Sequence, residues 1–165
     1  GIKIKMKYAK IIRFDKSDLN IFPQIAEEGE LAVVGSFSFF NLNEENLNGK
    51  IKQAFSNAFM GIPSFGYSTF ITITEVKEDE IEQLKYCLSD CFIKKYGAPS
   101  NEHALKAADD EINLMIDLCG AHDKGSLMSI SRELTTDGIK ENFRHLPKAE
   151  SCAEQNIWTF EEENQ

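Results

Sequence analysis

The sequence predicts an α+β fold: an antiparallel or mixed sheet of about four strands, with helices packed mainly on one face. Three observations carry that expectation. Segments 7–14, 31–40, 67–76 and 127–134 show two-residue alternation or β-branched enrichment. Segments 44–59, 78–96 and 101–119 repeat apolar residues at steps of three and four. The resulting order β, β, α, β, α, α, β, α does not alternate strictly, which argues against a doubly wound parallel sheet.

In the first segment, Tyr8, Lys10, Ile12 and Phe14 share one face, and Ala9, Ile11 and Arg13 the other. Asp15-Lys16-Ser17-Asp18 is a turn cluster, and Pro23 keeps residues 19–26 out of a central strand. Leu31 to Phe40 is the clearest strand: Val33, Gly35, Phe37 and Phe39 alternate with Val34, Ser36 and Ser38. Gly35 within it points to a bulge or a close backbone approach. Asn43 offers a helix cap, and Leu47, Ile51, Ala54, Phe55, Ala58 and Phe59 form the stripe of an amphipathic helix.

Gly61-Ile62-Pro63-Ser64-Phe65-Gly66 breaks that helix with two glycines around a proline. The expectation is a shaped loop in which Gly61 and Gly66 adopt unusual φ angles while Phe65 packs inward. Tyr67 to Val76 follows as a strand. Ile81, Leu84, Leu88 and Cys91 mark the next helix, widened by Cys87, Phe92 and Tyr96 and stopped at Gly97 and Pro99. Ser100 or Asn101 opens the third helix, with Leu105, Ala108, Ile112, Met115 and Cys119 on one face. Leu127 to Leu134 alternates as a fourth strand, and Asp137 to Leu146 reads as a short helix before Pro147. Residues 6–146 are thus expected to form one domain and 147–165 an acidic tail, with Trp158 and Phe160 able to dock it. Residues 1–5, ahead of Met6, read as a cloning remnant.

Composition limits the function classes. A chain of 165 residues, 42% hydrophobic and 27% charged, has enough apolar material for one core. No apolar run approaches the ~18 residues of a membrane-spanning helix. The net charge is −9, although the first 16 residues carry six cations and one anion. An acidic chain without dense basic clusters is a poor nucleic-acid binder, so neither nucleic acid nor membrane is expected as a partner. Four cysteines at 87, 91, 119 and 152 lack a CxxC pair, and the N-terminus has no secretory pattern. A reducing cytoplasm is the expected compartment.

Candidate chemistry is sparse. Cys87 and Cys91 stand four apart on one helix, and with Cys119 and His122 they supply zinc-ligand chemistry. A helical hairpin turning near residue 98 would leave Cys119 about 20 Å from Cys91 along the axis, so three separate core thiols are expected and no metal or cofactor. Cys119 at a helix C-terminus is placed against thiolate formation. The Ser64-Phe65-Gly66 sequence lacks the glycine that a nucleophile elbow carries two residues before its serine. Asp110 and Glu111 would suit a carboxylate cluster, but no acidic motif with ligand spacing answers them. No P-loop, dinucleotide fingerprint, HExxH or EF-hand loop is present. The best candidate for a ligand site is therefore the loop with Ser64, Phe65, Gly66, Tyr67, Ser68 and Thr69, which combines backbone freedom with hydroxyls beside an aromatic ring.

A resemblance adds context. Ile12-Arg13-Phe14-Asp15, Gly29-Glu30-Leu31-Ala32-Val33, Gly35-Ser36-Phe37, Gly49-Lys50, Ala54-Phe55, Phe59-Met60-Gly61 and Ser64-Phe65-Gly66-Tyr67-Ser68-Thr69 together resemble a family of short, mainly alphaproteobacterial uncharacterised proteins, a domain of unknown function. The resemblance covers roughly residues 7–146 and implies a soluble bacterial cytoplasmic protein, with no activity, cofactor or catalytic residue attached. Taken together, the sequence favours a non-enzymatic accessory or protein-interaction module, self-associating or bound to another protein. The alternative is a small-molecule-binding protein or enzyme using the Gly61–Thr69 loop.

Overall fold

A computed structural model describes residues 5–14, 18–147 and 161–162. The elements run β1 (Lys5–Ile12), α1 (Asp18–Ile21), β2 (Leu31–Val33), a 3-10 turn (Ser36–Phe39), α2 (Gly49–Asn57), β3 (Phe59–Ile62), β4 (Tyr67–Ser68), β5 (Phe70–Lys77), α3 (Glu78–Tyr96), α4 (Asn101–Gly120), β6 (Leu127–Thr135), β7 (Gly138–Leu146) and β8 (Glu161–Glu162). The fold is α+β around an antiparallel sheet, as expected. The described residues hold eight strands in the order β4-β3-β2-β1-β5-β6-β7-β8, about twice the expected number.

Each difference from expectation has a local cause. β2 stops at Val33 because Gly35 takes a left-handed conformation, φ 84°, and turns the chain into the 3-10 segment. The Ser38 hydroxyl donates back to the Gly35 carbonyl at 2.8 Å, a local bond that competes with strand pairing. The Phe–Ser alternation survives because two neighbours share the rings. Phe37 meets Phe92 and Tyr96 edge-on, while Phe39 meets Phe55 and Tyr67. Asn43 caps a turn rather than a helix, its Oδ1 accepting from the amides of Glu45 and Asn46, so α2 begins only at Gly49.

Residues 137–146 form a strand, not a short helix. Asp137-Gly138 closes a hairpin, with Gly138 at φ 116° and the Thr135 hydroxyl donating to the Gly138 carbonyl at 2.8 Å. Along β7, half-buried Ile139, Glu141, Phe143 and His145 alternate with exposed Lys140, Asn142 and Arg144. The 67–76 segment is divided at Thr69 into β4 and β5. Part of the expected tail adds a strand, since Glu161 and Glu162 pair with His145 and Arg144. Cys152, Trp158 and Phe160 lie outside the described residues.

Register sets the core. Ala9 pairs with Ile73, Ile11 with Ile71, and Ile71 with Met128, so these buried residues share a face that Ile130 and Arg132 extend along β6. The sheet is strongly curled. β3 and β7 are separated by four strands, which in a flat sheet would set them about 24 Å apart. Yet the Phe59 and Phe143 rings stack with centroids 6.4 Å apart. The curl also carries the exit of β2 to β6 and β7, where side chains of Ser36, Arg132 and Glu141 meet.

The α3–α4 hairpin packs beside this sheet, with α4 against β1 and β2 and α3 against β3 and β5. Gly97 takes the left-handed C-cap at φ 67°, and the Ala98 amide donates back to the Phe92 carbonyl at 2.9 Å. Ser100 caps α4 by accepting from the His103 amide at 3.2 Å. Ala104, Ala108, Ile112, Met115 and Cys119 form its buried stripe, and Lys85 bridges to Asp109 across the hairpin at 3.1 Å.

Candidate functional site

The 61–69 segment is a tightly bonded hairpin. Glu30 organises it: its carboxylate accepts from the Ser64 amide at 2.7 Å, the Ser64 hydroxyl at 2.6 Å and the Glu27 amide at 2.6 Å. Ser64 Oγ in turn accepts from the Gly66 amide at 3.0 Å. Neither Gly61 nor Gly66 uses a positive φ; Phe65 does, at 59°, and the Ile62–Pro63 peptide is cis. The glycines serve close approach instead. A Cβ on Gly66 would fall 2.1 Å from the Ile25 carbonyl oxygen, and one on Gly61 2.8 Å from the Ala26 Cβ. Phe65 is half-buried with the Lys95 ammonium 5.4 Å from its ring centroid. Tyr67 is buried and donates to the Ser38 hydroxyl at 3.1 Å, Ser68 is fully buried, and Thr69 is half-buried. These six residues share a folded turn and the adjoining strand.

The described cysteines are free thiols: Cys87 half-buried, Cys91 and Cys119 buried. Burial raises all three thiols, Cys119 to about 12. Among the described residues, no three His, Cys, Asp or Glu side chains converge as a metal-ligand group.

A concavity lies elsewhere. A hollow of about 540 Å³ opens between the 3-10 turn, the end of α3 and the middle of α4. Phe37, Phe40 and Asn41 come from the turn, Phe92, Tyr96 and Ala98 from α3 and its cap, and Ala107, Asp110, Glu111 and Leu114 from α4. The α4 residues follow i, i+3, i+4, i+7 spacing, so one helix face lines the hollow while the neighbouring stripe enters the core. Its rim is apolar and wet: Phe40 is 70% exposed, Tyr96 41% and Leu114 39%. Its ionisable groups, among the described residues, are Asp110, Glu111 and Tyr96.

Beneath it runs a polar network. Arg132 is 5% exposed; its Nε donates to Ser36 Oγ at 2.6 Å, and Nη1 donates to the carbonyls of Phe55 at 3.0 Å and Ala58 at 2.8 Å. Nη2 donates to the Val34 carbonyl, and the guanidinium lies 5.1 Å from the Phe39 ring centroid. The Ser36 hydroxyl in turn donates to Glu141 Oε2 at 2.6 Å. Burial lowers the Arg132 pKa to about 10, which keeps it cationic at neutral pH. Glu111 is raised to about 7, first by burial, then by repulsion from Glu141 and Asp110, with Arg132 opposing. Asp110 pairs with Lys106 at 3.5 Å, whereas no hydrogen bond or ion pair among the described residues reaches the Glu111 carboxylate.

Sequence reasoning noted Asp110 and Glu111 but found no acidic partner. Glu141 acts on Glu111 by like-charge repulsion, a relation that reading residues 137–146 as a helix conceals. On a strand, the alternation of Ile139, Glu141 and Phe143 puts the carboxylate on the inner side. In the sequence Phe40 reads as the end of a strand, and nothing in its local pattern marks a hollow.

Among the described residues, no helix is long and apolar enough to cross a membrane. No curated protein and no solved structure matches the chain. Residues 6–161 match a family of unknown function, DUF6505, a span that runs past Leu146 into the segment expected to be a tail. With nearly its whole length matched, the chain belongs to that family.

Proposed function

We propose that the chain is a non-catalytic binding module whose contact surface is the aromatic hollow between the 3-10 turn and the α3–α4 hairpin. The observation that carries this reading is the clustering of exposed Phe40, Tyr96 and Leu114 around one concavity of ligand-binding size. Exposed aromatic rings grouped on a rigid helical hairpin are the usual anchors of recognition. The hollow, rather than the Ser64–Thr69 hairpin, is assigned this role because the Ser64 and Tyr67 hydroxyls are already engaged within the fold. Binding is favoured over catalysis because the lining offers two carboxylates and a phenol but no paired nucleophile and base.

Native mass spectrometry of the protein from its own cells, beside a Phe40→Asp variant, tests the proposal. The expected result is a retained ligand or partner that the variant loses while its melting temperature stays unchanged. A bare monomer, or a retained mass that Phe40→Asp leaves in place, would overturn it.

A further inference from the structure

The lining of the hollow is chemically asymmetric. Aromatic rings form its walls: Phe37 stands edge-on to Phe92 and Tyr96, at centroid distances of 4.8 and 5.3 Å, and Phe40 projects at the rim. Its charge comes from Asp110 and Glu111 on α4, both negative when ionised. No lysine, arginine or histidine is among the lining residues described. Ring faces attract cations through their quadrupole, and a carboxylate at the bottom of an aromatic enclosure supplies the counter-charge.

Resting on the reading of the hollow as the contact surface, we infer that its ligand is a small organic cation: an alkylammonium carried on an apolar body. The apolar body lies against Phe37, Phe40 and Leu114, and the ammonium meets Glu111. The two carboxylates differ. Lys106 already reaches Asp110 at 3.5 Å, an exposed i,i+4 pair of little energetic weight. Glu111 is half-buried and, among the described residues, Arg132 acts on it without forming an ion pair, so an incoming cation supplies the direct contact. Beside a neutral ligand Glu111 would take up a proton rather than face Glu141 and Asp110 as a buried carboxylate, and an anionic ligand would add a further repulsion, so only a cation gains from the ionised form.

This arrangement couples binding to a proton. The groups acting on Glu111 are Asp110 from its own helix, Arg132 from β6 and Glu141 from β7, and Glu111 in turn acts on Tyr8 of β1. With its pKa raised to about 7, Glu111 is partly protonated at neutral pH and must ionise to pair with an ammonium. Affinity for the cation therefore rises with pH. Between pH 6 and 8 the ionised fraction goes from about one eleventh to about ten elevenths, a rise of about tenfold. The ligand ammonium, with a lysine-like pKa of about 10.4, stays charged throughout.

The test is isothermal titration calorimetry with 4-phenylbutylamine, 4-phenylbutan-1-ol and 4-phenylbutyrate, which share one apolar body and differ in charge. Proton–carbon NMR shifts of Phe40 and Tyr96 locate the site. The expected result is amine binding at least tenfold tighter than the alcohol, with the carboxylate weakest. Glu111→Gln should remove most of that preference and flatten the pH profile, leaving the alcohol unaffected. Equal binding of amine and alcohol, both perturbing Phe40 and Tyr96, would overturn the cation inference and leave the hollow as a contact surface. Failure of all three probes to shift those rings would overturn both. Tenfold tighter binding of the capped dipeptide Ac-Phe-Arg-NH2 than of the amine would overturn the small ligand in favour of a peptide side chain.

Discussion

Arg132→Met removes the buried guanidinium while keeping most of the stem volume. In the native fold that group satisfies Ser36 Oγ and the carbonyls of Phe55, Ala58 and Val34. A weaker bond to the Ala54 carbonyl, at 3.4 Å, costs less to lose because that oxygen also accepts from the Ala58 amide. Three orphaned carbonyls at about 1–3 kcal/mol each give a gross loss of about 3–9 kcal/mol. Relief of the guanidinium's own desolvation, and the apolar gain of methionine, offset part of it. A net loss of about 3–5 kcal/mol is expected, the range found when one partner of a buried charged pair is removed. For a chain of 165 residues that lowers the melting temperature by about 10 °C. Urea titration followed by circular dichroism at pH 7, with calorimetry alongside, reads the change. Arg132→Lys keeps the charge but loses the planar fork, and should fall between the two. A methionine variant within 1 kcal/mol of the parent, with an unchanged urea slope, would refute the view that Arg132 fastens α2 and the exit of β2 to β6.

Gly66→Ala should prevent folding or cost more than about 3 kcal/mol, since its methyl meets the Ile25 carbonyl; soluble protein with a native melting curve would contradict the hairpin geometry. Cys119 should resist Ellman's reagent at pH 8 until urea unfolds the chain, because burial holds its thiol at about 12; native-state labelling at that residue, read by mass spectrometry, would count against it. Glu111 predicts a pH dependence of stability. Its folded pKa of about 7 lies above the ordinary value of 4.5, so between these the native state holds the extra proton and stability falls as pH rises. Glu111→Gln should accordingly raise the melting temperature at pH 8 and change it little at pH 4, as read by parallel thermal melts.

The helices were legible because their signals are local. Gly97 and Pro99 end α3, Ser100 caps α4, and the buried stripe of α4 follows steps of three and four. The sheet was legible in class but not in extent. β2 and the 3-10 turn share one alternating pattern, and only the left-handed backbone at Gly35 divides them. The Asp137-Gly138 pair is a hairpin signal, yet the polar residues of β7 on its exposed face resemble a short helix. The candidate hollow was not legible at all. Its rings and carboxylates come from residues 37–41, 92–98 and 107–114, and nothing in local spacing brings those segments together. They meet through the packing of the α3–α4 hairpin against β1 and β2, a non-local event.

The position of β1 governs how the molecule can be assembled. β1 comes earlier in the chain than every other described strand yet occupies the middle of the sheet, joining β2 on one side to β5 on the other. Its long ladder with β5 pairs Lys5 with Lys77 and Ile12 with Phe70, separations of 58 to 72 residues. At about 5–20 residues per second of synthesis, β1 waits several seconds for that partner to emerge. Such non-local pairing belongs to the slower class of folding topologies. Until β5 arrives, the apolar residues Ala9 and Ile11 have only the three-residue β2 beside them. A chain that begins after Ile12 loses the strand that joins β2 to β5 and leaves β2–β4 and β5–β8 to be held by contacts away from the ladder, such as the Phe59–Phe143 stack and the bonds of Arg132 to Val34 and Ala58.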